Sequence, residues 1–131
     1  MSSETLYQKG NDQQRTPDWI RYGLFRDYSD PCPLKENYEV DGLKREWNER
    51  TFVNPPYSNP LPWVEKAIET QKKGITVALL LKADSSTKWW AKLHEAGAHF
   101  LMIQGRLHFS NLKGAAPFPS VIAILYPSPD N

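Results

Sequence analysis

One cysteine, Cys32, stands in 131 residues. A lone thiol excludes an intrachain disulfide and any zinc site built on paired cysteines. The three histidines, His94, His99 and His108, share no ligand-like spacing, so no metal is expected. No apolar run approaches the roughly 18 residues of a membrane span, and no charged-then-apolar leader opens the chain. Neither secretion nor a membrane is therefore expected. Charge of one sign is also missing: 16 basic residues against 15 acidic leave a net charge of +1. Without a global basic field, any contact with nucleic acid must come from a local patch. Glycine is absent between Gly23 and Gly42, a stretch without its conformational freedom.

What is present is a moderately apolar chain with five tryptophans and six tyrosines, which suit half-buried and ligand-facing positions. Residues 1–15 are polar and read as a flexible tail. A helix is expected over residues 16–25, with Thr16 as its cap and Pro17 in its first turn. The proline-bounded segment 27–33 reads as a weak strand, and residues 38–40 as a second short extended piece before a turn at Asp41-Gly42. Residues 60–73 repeat apolar positions at helical spacing, capped by Ser58 or Asn59 and stopped by Gly74. Residues 75–81 form a nearly unbroken apolar run, the pattern of a strand covered on both faces. A further helix is expected from Asp84-Ser85-Ser86 to Ala96, then strands over 100–103 and 121–126. Alternating strands and helices predict an α/β domain with a parallel sheet and helices on both faces. The last strands, with no helix between them, predict an antiparallel edge.

The densest chemistry lies in Phe52-Val53-Asn54-Pro55-Pro56-Tyr57. Two prolines force the chain out of a sheet and hold it extended. That places Asn54 at the carboxyl end of a strand, where open α/β sheets bind ligands. The Asn54 side-chain oxygen and the Pro55 carbonyl are two acceptors suited to an exocyclic amine, whose lone pair is delocalised into its ring. Tyr57 offers a flat face for stacking a base. The plainer alternative is a proline-terminated strand with Tyr57 in packing. Lys82, Lys88 and Arg106 are candidates for a basic rim near the carboxyl strand ends, and Arg106, Lys113 and the loop around them for contact with phosphate, with merely solvated charges as the plainer alternative.

Seven pieces occur in one order: Thr16-Pro17-Asp18-Trp19, Asp30-Pro31-Cys32, Asp41-Gly42-Leu43, residues 52–58, Trp63-Val64-Glu65-Lys66-Ala67, Gly105-Arg106-Leu107-His108-Phe109 and Ala116-Pro117-Phe118-Pro119-Ser120. In this order they resemble the phage-type Dam-like DNA N6-adenine methyltransferases. The resemblance implies an abbreviated Rossmann-like methyltransferase sheet forming a single domain over residues 16–131. It implies S-adenosylmethionine as cofactor, DNA as partner, and a cytoplasmic setting in a bacterial or phage-infected cell. Asn54, Pro55, Pro56 and Tyr57 match the family's catalytic loop. Thr16, Pro17, Asp30, Cys32 and Asp41 match positions that meet the cofactor. Between Asp30 and Asp41 there is no room for a full helix and strand, so the cofactor lobe is abbreviated. No segment is left over for a separate target-recognition domain, which implies low sequence specificity. The same loop also serves methylation of RNA adenine or protein glutamine, and a non-catalytic nucleic-acid-binding module is the alternative outside enzymology.

Overall fold

The computed structural model describes residues 15–32, 42–56, 58–109 and 114–127. Tyr57, Asp41, Lys113, the segment 38–40 and, apart from Arg15, the tail over residues 1–15 lie outside the described residues.

Four strands form one mixed sheet: β1 (Thr51–Val53), β2 (Val77–Lys82), β3 (His99–Met102) and β4 (Ser120–Leu125), in the order β1-β2-β4-β3. β1 and β2 are parallel, Phe52 facing Ala78. They are joined by α1 (Leu61–Lys72), and β2 is followed by α2 (Lys88–Glu95). β4 is antiparallel to both β2 and β3. The antiparallel strand is thus inserted next to the edge instead of forming it. Its burial pattern explains the choice: all six β4 residues are buried, whereas β3 has three exposed and one half-buried. The more apolar strand takes the position with two neighbours. Beyond β1, Ser29 forms a single parallel bridge to Thr51, its N–H donating to the Arg50 carbonyl at 2.8 Å. The weak strand expected near residues 27–33 is reduced to that bridge.

Period-two alternation splits the core between the sheet's faces. Val53, Val77, Leu79, Leu81, Val121, Ala123 and Leu125 face α1 and α2, together with Trp63, Trp89 and Leu93. Phe52, Ala78, Leu80, Ile122 and Ile124 face the other way, against Ile20, Phe25, Leu107, Phe109, Ala116 and Phe118. Among the described residues only one face carries α-helices. The second is covered by a short helix and by Leu107, Phe109, Ala116 and Phe118, the Ala116 N–H donating to the Leu107 carbonyl at 2.8 Å.

The short helix, Trp19–Leu24, has π geometry, its last N–H (Phe25) reaching back five residues to the Ile20 carbonyl at 3.0 Å. Asp18, not Thr16, occupies the cap position. Tertiary contact overrides the local capping preference, because the Thr16 hydroxyl is taken by Asn54. Similarly α1 begins at Pro60 with no side-chain cap from Ser58 or Asn59, and tolerates Pro62 because first-turn N–H groups lack helical partners. α2 is capped by Thr87, whose hydroxyl accepts from the Trp90 N–H at 3.3 Å. Asp84 instead closes a turn, accepting from the Ser86 N–H and hydroxyl at 3.0 and 2.6 Å.

Gly42 is packed too closely to carry a side chain. A Cβ there would stand 2.3 Å from the Pro31 carbonyl oxygen and 2.4 Å from the Trp63 ring. The Trp47 indole N–H donates to the Gly42 carbonyl at 3.0 Å, and Lys66 Nζ to the Leu43 carbonyl at 2.8 Å, so this segment is pinned to α1. Gly42→Ala is expected to destabilise the fold by about 1–3 kcal/mol, the usual cost of overpacking against atoms that cannot move aside. Chemical denaturation measures it, and an unchanged midpoint would mean that Pro31 and Trp63 give way freely.

Candidate active site

β1 ends in three buried residues, Asn54, Pro55 and Pro56. Neither proline can donate to a sheet, so the chain turns away at the carboxyl edge of β1, beside the carboxyl end of parallel β2. Between them opens a pocket of about 270 Å³. Asn54, Pro55 and Pro56 line it from β1, Lys82 and Asp84 from the end of β2, Trp89 from α2, and Phe109 and Phe118 from the segment covering the second face. Its lining joins apolar and aromatic groups with polar side chains, among them Asn54, Lys82, Asp84 and Thr87. Lys82 Nζ lies 3.6 Å from Asp84 Oδ2 and 5.9 Å from the Phe118 ring centre. Hydrogen bonds, first from the Ser86 hydroxyl and then from its N–H, hold the exposed Asp84 carboxyl below the usual carboxylate range.

Of the residues singled out in the sequence, Asn54, Pro55 and Pro56 line this pocket together. Thr16 joins them from the other end of the chain: Asn54 Nδ2 donates to its hydroxyl at 3.1 Å. Pro17 is buried, and its carbonyl accepts from the N–H groups of Ile20 and Arg21 at 3.0 and 3.1 Å. Asp30 directly follows the Ser29 bridge, which sets it level with Phe52 beside β1. One carboxylate oxygen accepts from the Cys32 N–H at 2.9 Å, and the other lies 3.6 Å from Arg21 Nε. Cys32 itself is 7% exposed and packs in the core with Trp47 and Trp63. Its backbone N–H closes the turn at Asp30. Asp41 and Tyr57 lie outside the described residues.

Burial raises the Asp30 carboxyl above the usual carboxylate range, although the Cys32 N–H, Arg21 and Arg45 pull it down. Because its folded-state pKa exceeds the unfolded one, the folded protein binds more protons between those values, and stability falls as pH rises through them. Keeping the charge at neutral pH therefore costs stability. Asp30→Asn, which retains the acceptor for Cys32, is expected to melt higher than the parent at pH 7. The gap should close below the ordinary aspartate range, where both side chains are neutral. Melting curves across pH 3 to pH 7 test this; a variant that melts lower at every pH would contradict it.

Trp89, Phe109 and Phe118 were not legible as site residues. Trp89 fits the apolar period of α2, and the two phenylalanines reach the pocket only through closure of a loop. Lys82 and Asp84 carried a usable signal: they end an apolar strand parallel to β1, so the rule that selects Asn54 selects them too. Among the described residues no cluster of histidine, cysteine and carboxylate could hold a metal, and no helix is long and apolar enough to cross a membrane.

Comparison with known proteins bears on this geometry. The family model described as DNA N-6-adenine-methyltransferase (Dam) matches residues 2–120. A DNA N-6-adenine-methyltransferase of Haemophilus phage HP1 (strain HP1c1) is 32% identical over 105 residues, covering 69% of this chain and 61% of the relative. One of Escherichia phage T1 is 36% identical over 78 residues, covering 58% of this chain and 33% of the relative. The chain thus spans about a third and about three fifths of the lengths of these two curated relatives. No solved structure matches it. With a family model aligned to residues 2–120, including the pocket loop at Asn54, the chain belongs to the DNA N-6-adenine-methyltransferase (Dam) family.

Proposed function

We propose that this chain transfers the methyl group of S-adenosylmethionine to N6 of adenine in DNA. The observation that carries the reading is the placement of Asn54, Pro55 and Pro56 at the carboxyl end of β1, lining an aromatic-walled pocket in a member of this family. At about 270 Å³ the pocket is near the lower limit of roughly 300 Å³ for ligand sites, which suits one planar base better than a large ligand.

Within that pocket the protein's task is to make a weak nucleophile stronger. The Asn54 oxygen and the Pro55 carbonyl accept hydrogen bonds from the adenine amine and draw its lone pair out of the ring. Trp89, Phe109 and Phe118 exclude water and hold the ring plane; Tyr57, by its resemblance to the family loop, stacks on it. Such fixed acceptors act where charge develops, without reorganising during reaction. No strong base is required, since the amine proton becomes acidic only after alkylation.

The residues beside Asn54 fit the cofactor. Asp30 and Arg21 place an acid and a cation 3.6 Å apart in a half-buried setting, a partner for each end of an amino-acid zwitterion. A carboxylate kept charged at a cost in stability is typical of binding sites. Thr16 and Pro17 close the same side, and Asp41 belongs to the set by resemblance. When bound, S-adenosylmethionine supplies an electrophilic methyl group on a sulfonium.

Supporting an abbreviated Rossmann-like methyltransferase sheet are the parallel β1–α1–β2 unit, the site at its carboxyl ends and antiparallel β4. Both core clusters share this sheet, which supports one domain over residues 16–131. A DNA substrate fits a setting in the cytoplasm of a bacterial or phage-infected cell.

Duplex DNA must release the base, at a cost of a few kcal/mol. With Leu107, Phe109, Ala116 and Phe118 in the core, few described groups of this region remain to read base edges, and a well-read pair contributes only about 1–3 kcal/mol. Methylation is expected at many adenines with a context preference of one or two bases, and with strong salt dependence. Incubated plasmid, digested and analysed by mass spectrometry for N6-methyladenine, tests the activity; mapping the modified adenines tests the specificity. Absence of N6-methyladenine, or its confinement to one palindrome of four or more base pairs, would contradict the respective part. RNA and protein glutamine serve as the control substrates.

A further inference from the structure

β2 is apolar and buried for five residues and ends on a cation, Lys82. The two-residue period turns Lys82 to the face of Ala78 and Leu80, and Phe52 of β1 shares that face. Asn54, two residues beyond Phe52, and Lys82 both line the pocket, from the ends of two neighbouring parallel strands. Phe118 walls the same side, its ring centre 5.9 Å from Lys82 Nζ. The lysine side chain is 41% exposed, so it stands at the pocket mouth within reach of a ligand.

Adenine held by its amine needs more than acceptors. Asn54 and the Pro55 carbonyl engage the amine, but the groups flanking it, N1 and N7 of the ring, are acceptors themselves and call for a donor. Among the described lining residues Lys82 is the one cation, and the Asp84 carboxylate can only accept. The Thr87 hydroxyl is engaged, donating to the Asp84 carbonyl at 3.0 Å and accepting from the Trp90 N–H at 3.3 Å. The Ser120 hydroxyl, 2% exposed, lies too deep in the sheet to lead. An ammonium has three donors, and its ion pair with Asp84 at 3.6 Å does not use them all.

We propose that Lys82 orients the substrate base, its ammonium donating to N1 or N7 of the adenine whose amine is held at Asn54. This rests on the function proposed above and adds to it the group that fixes how the ring lies in the pocket. The neighbouring Asp84 charge offsets the pull of the ammonium on the ring electrons, so the contact places the base without weakening the amine as a nucleophile.

The experiment uses a duplex containing one adenine, or in its place 1-deazaadenine or 7-deazaadenine, each of which has a C–H where adenine has one of the two acceptors. Lys82→Met is expected to lower kcat/KM for the adenine duplex about tenfold, the scale of a hydrogen bond from a charged donor. The parent should lose about as much on one of the two analogues, and Lys82→Met less than about twofold on that same analogue. Losses that are equal in the two proteins on both analogues overturn the proposal. So does a Lys82→Met variant whose main change is a salt dependence of DNA binding shallower by about one ion, the mark of a phosphate contact. The same cycle run on binding affinity, with the adenine unpaired opposite an abasic site, needs no transfer. Should the parent methylate nothing, the function proposed above falls, and the binding cycle decides the role of Lys82 alone: coupling between Lys82 and one ring nitrogen supports it, and its absence overturns it.

Discussion

Asn54→Ala should lose about 10²–10³-fold in kcat, the scale on which a single preorganised polar group at a reacting centre acts. Binding of S-adenosylmethionine, followed by calorimetry, should change little, since this side chain faces the base pocket and Thr16. Stability should fall only modestly. The residue is buried, and its bond to Thr16 is worth about 1 kcal/mol, or a few degrees in Tm for a chain of this size. The contrast between a large kinetic loss and a small thermal one is the diagnostic. Full activity in this variant would remove Asn54 from the mechanism, while a collapse in Tm would make the kinetic loss uninformative and shift the question to Asn54→Asp.

For Trp63→Ala the expected loss is in the fold. Trp63 is 1% exposed and lies in the largest core cluster. Its ring stacks near Trp47 with centres 6.2 Å apart and closes on Gly42. Truncation of a buried aromatic costs about 3–5 kcal/mol, a large share of a typical domain's stability. Thermal melting should show a drop of roughly 10–20 °C. Cofactor affinity should also weaken, because Trp63 and Gly42 back the Pro31 carbonyl next to Asp30. A drop under about 5 °C would mean that Trp47 and Cys32 close over the gap.

Local patterns in the sequence carried some of this and not the rest. The run Val77–Lys82 is apolar on both faces because both faces are covered, and it reads directly as a buried strand. α1 reads as directly, since Leu61, Val64 and Ile68 recur at helical spacing, flanked by Trp63 and Ala67. Asn54 is legible because two prolines mark the end of its strand. The contact between Asn54 and Thr16 is not, because the two stand 38 residues apart and a Thr-Pro pair looks the same whether or not it caps a helix. Nor is the position of β4. Local composition shows that residues 120–125 form a strand, but which strands flank it depends on competition for burial across the whole sheet. The burial of Leu107, Phe109, Ala116 and Phe118 is hidden for a related reason: prolines and charges dominate the local pattern there, while the far face of the sheet decides where these four side chains lie.

The insertion of β4 between β2 and β3 orders events in time as well as in space. Strands β1, β2 and β3 leave the ribosome first, yet β3 touches the sheet only through β4. Until residues 120–125 emerge, β2 exposes an unpaired edge of six residues, five of them buried in the finished protein. Such an edge invites pairing with another chain. The nascent protein is thus association-prone until residues 120–125 have emerged, and the pocket, which needs Phe118 as a wall, cannot exist before then either. Assembly of the pocket and protection of the sheet edge come from the same short stretch, residues 118–125, so a chain that has acquired one has acquired the other.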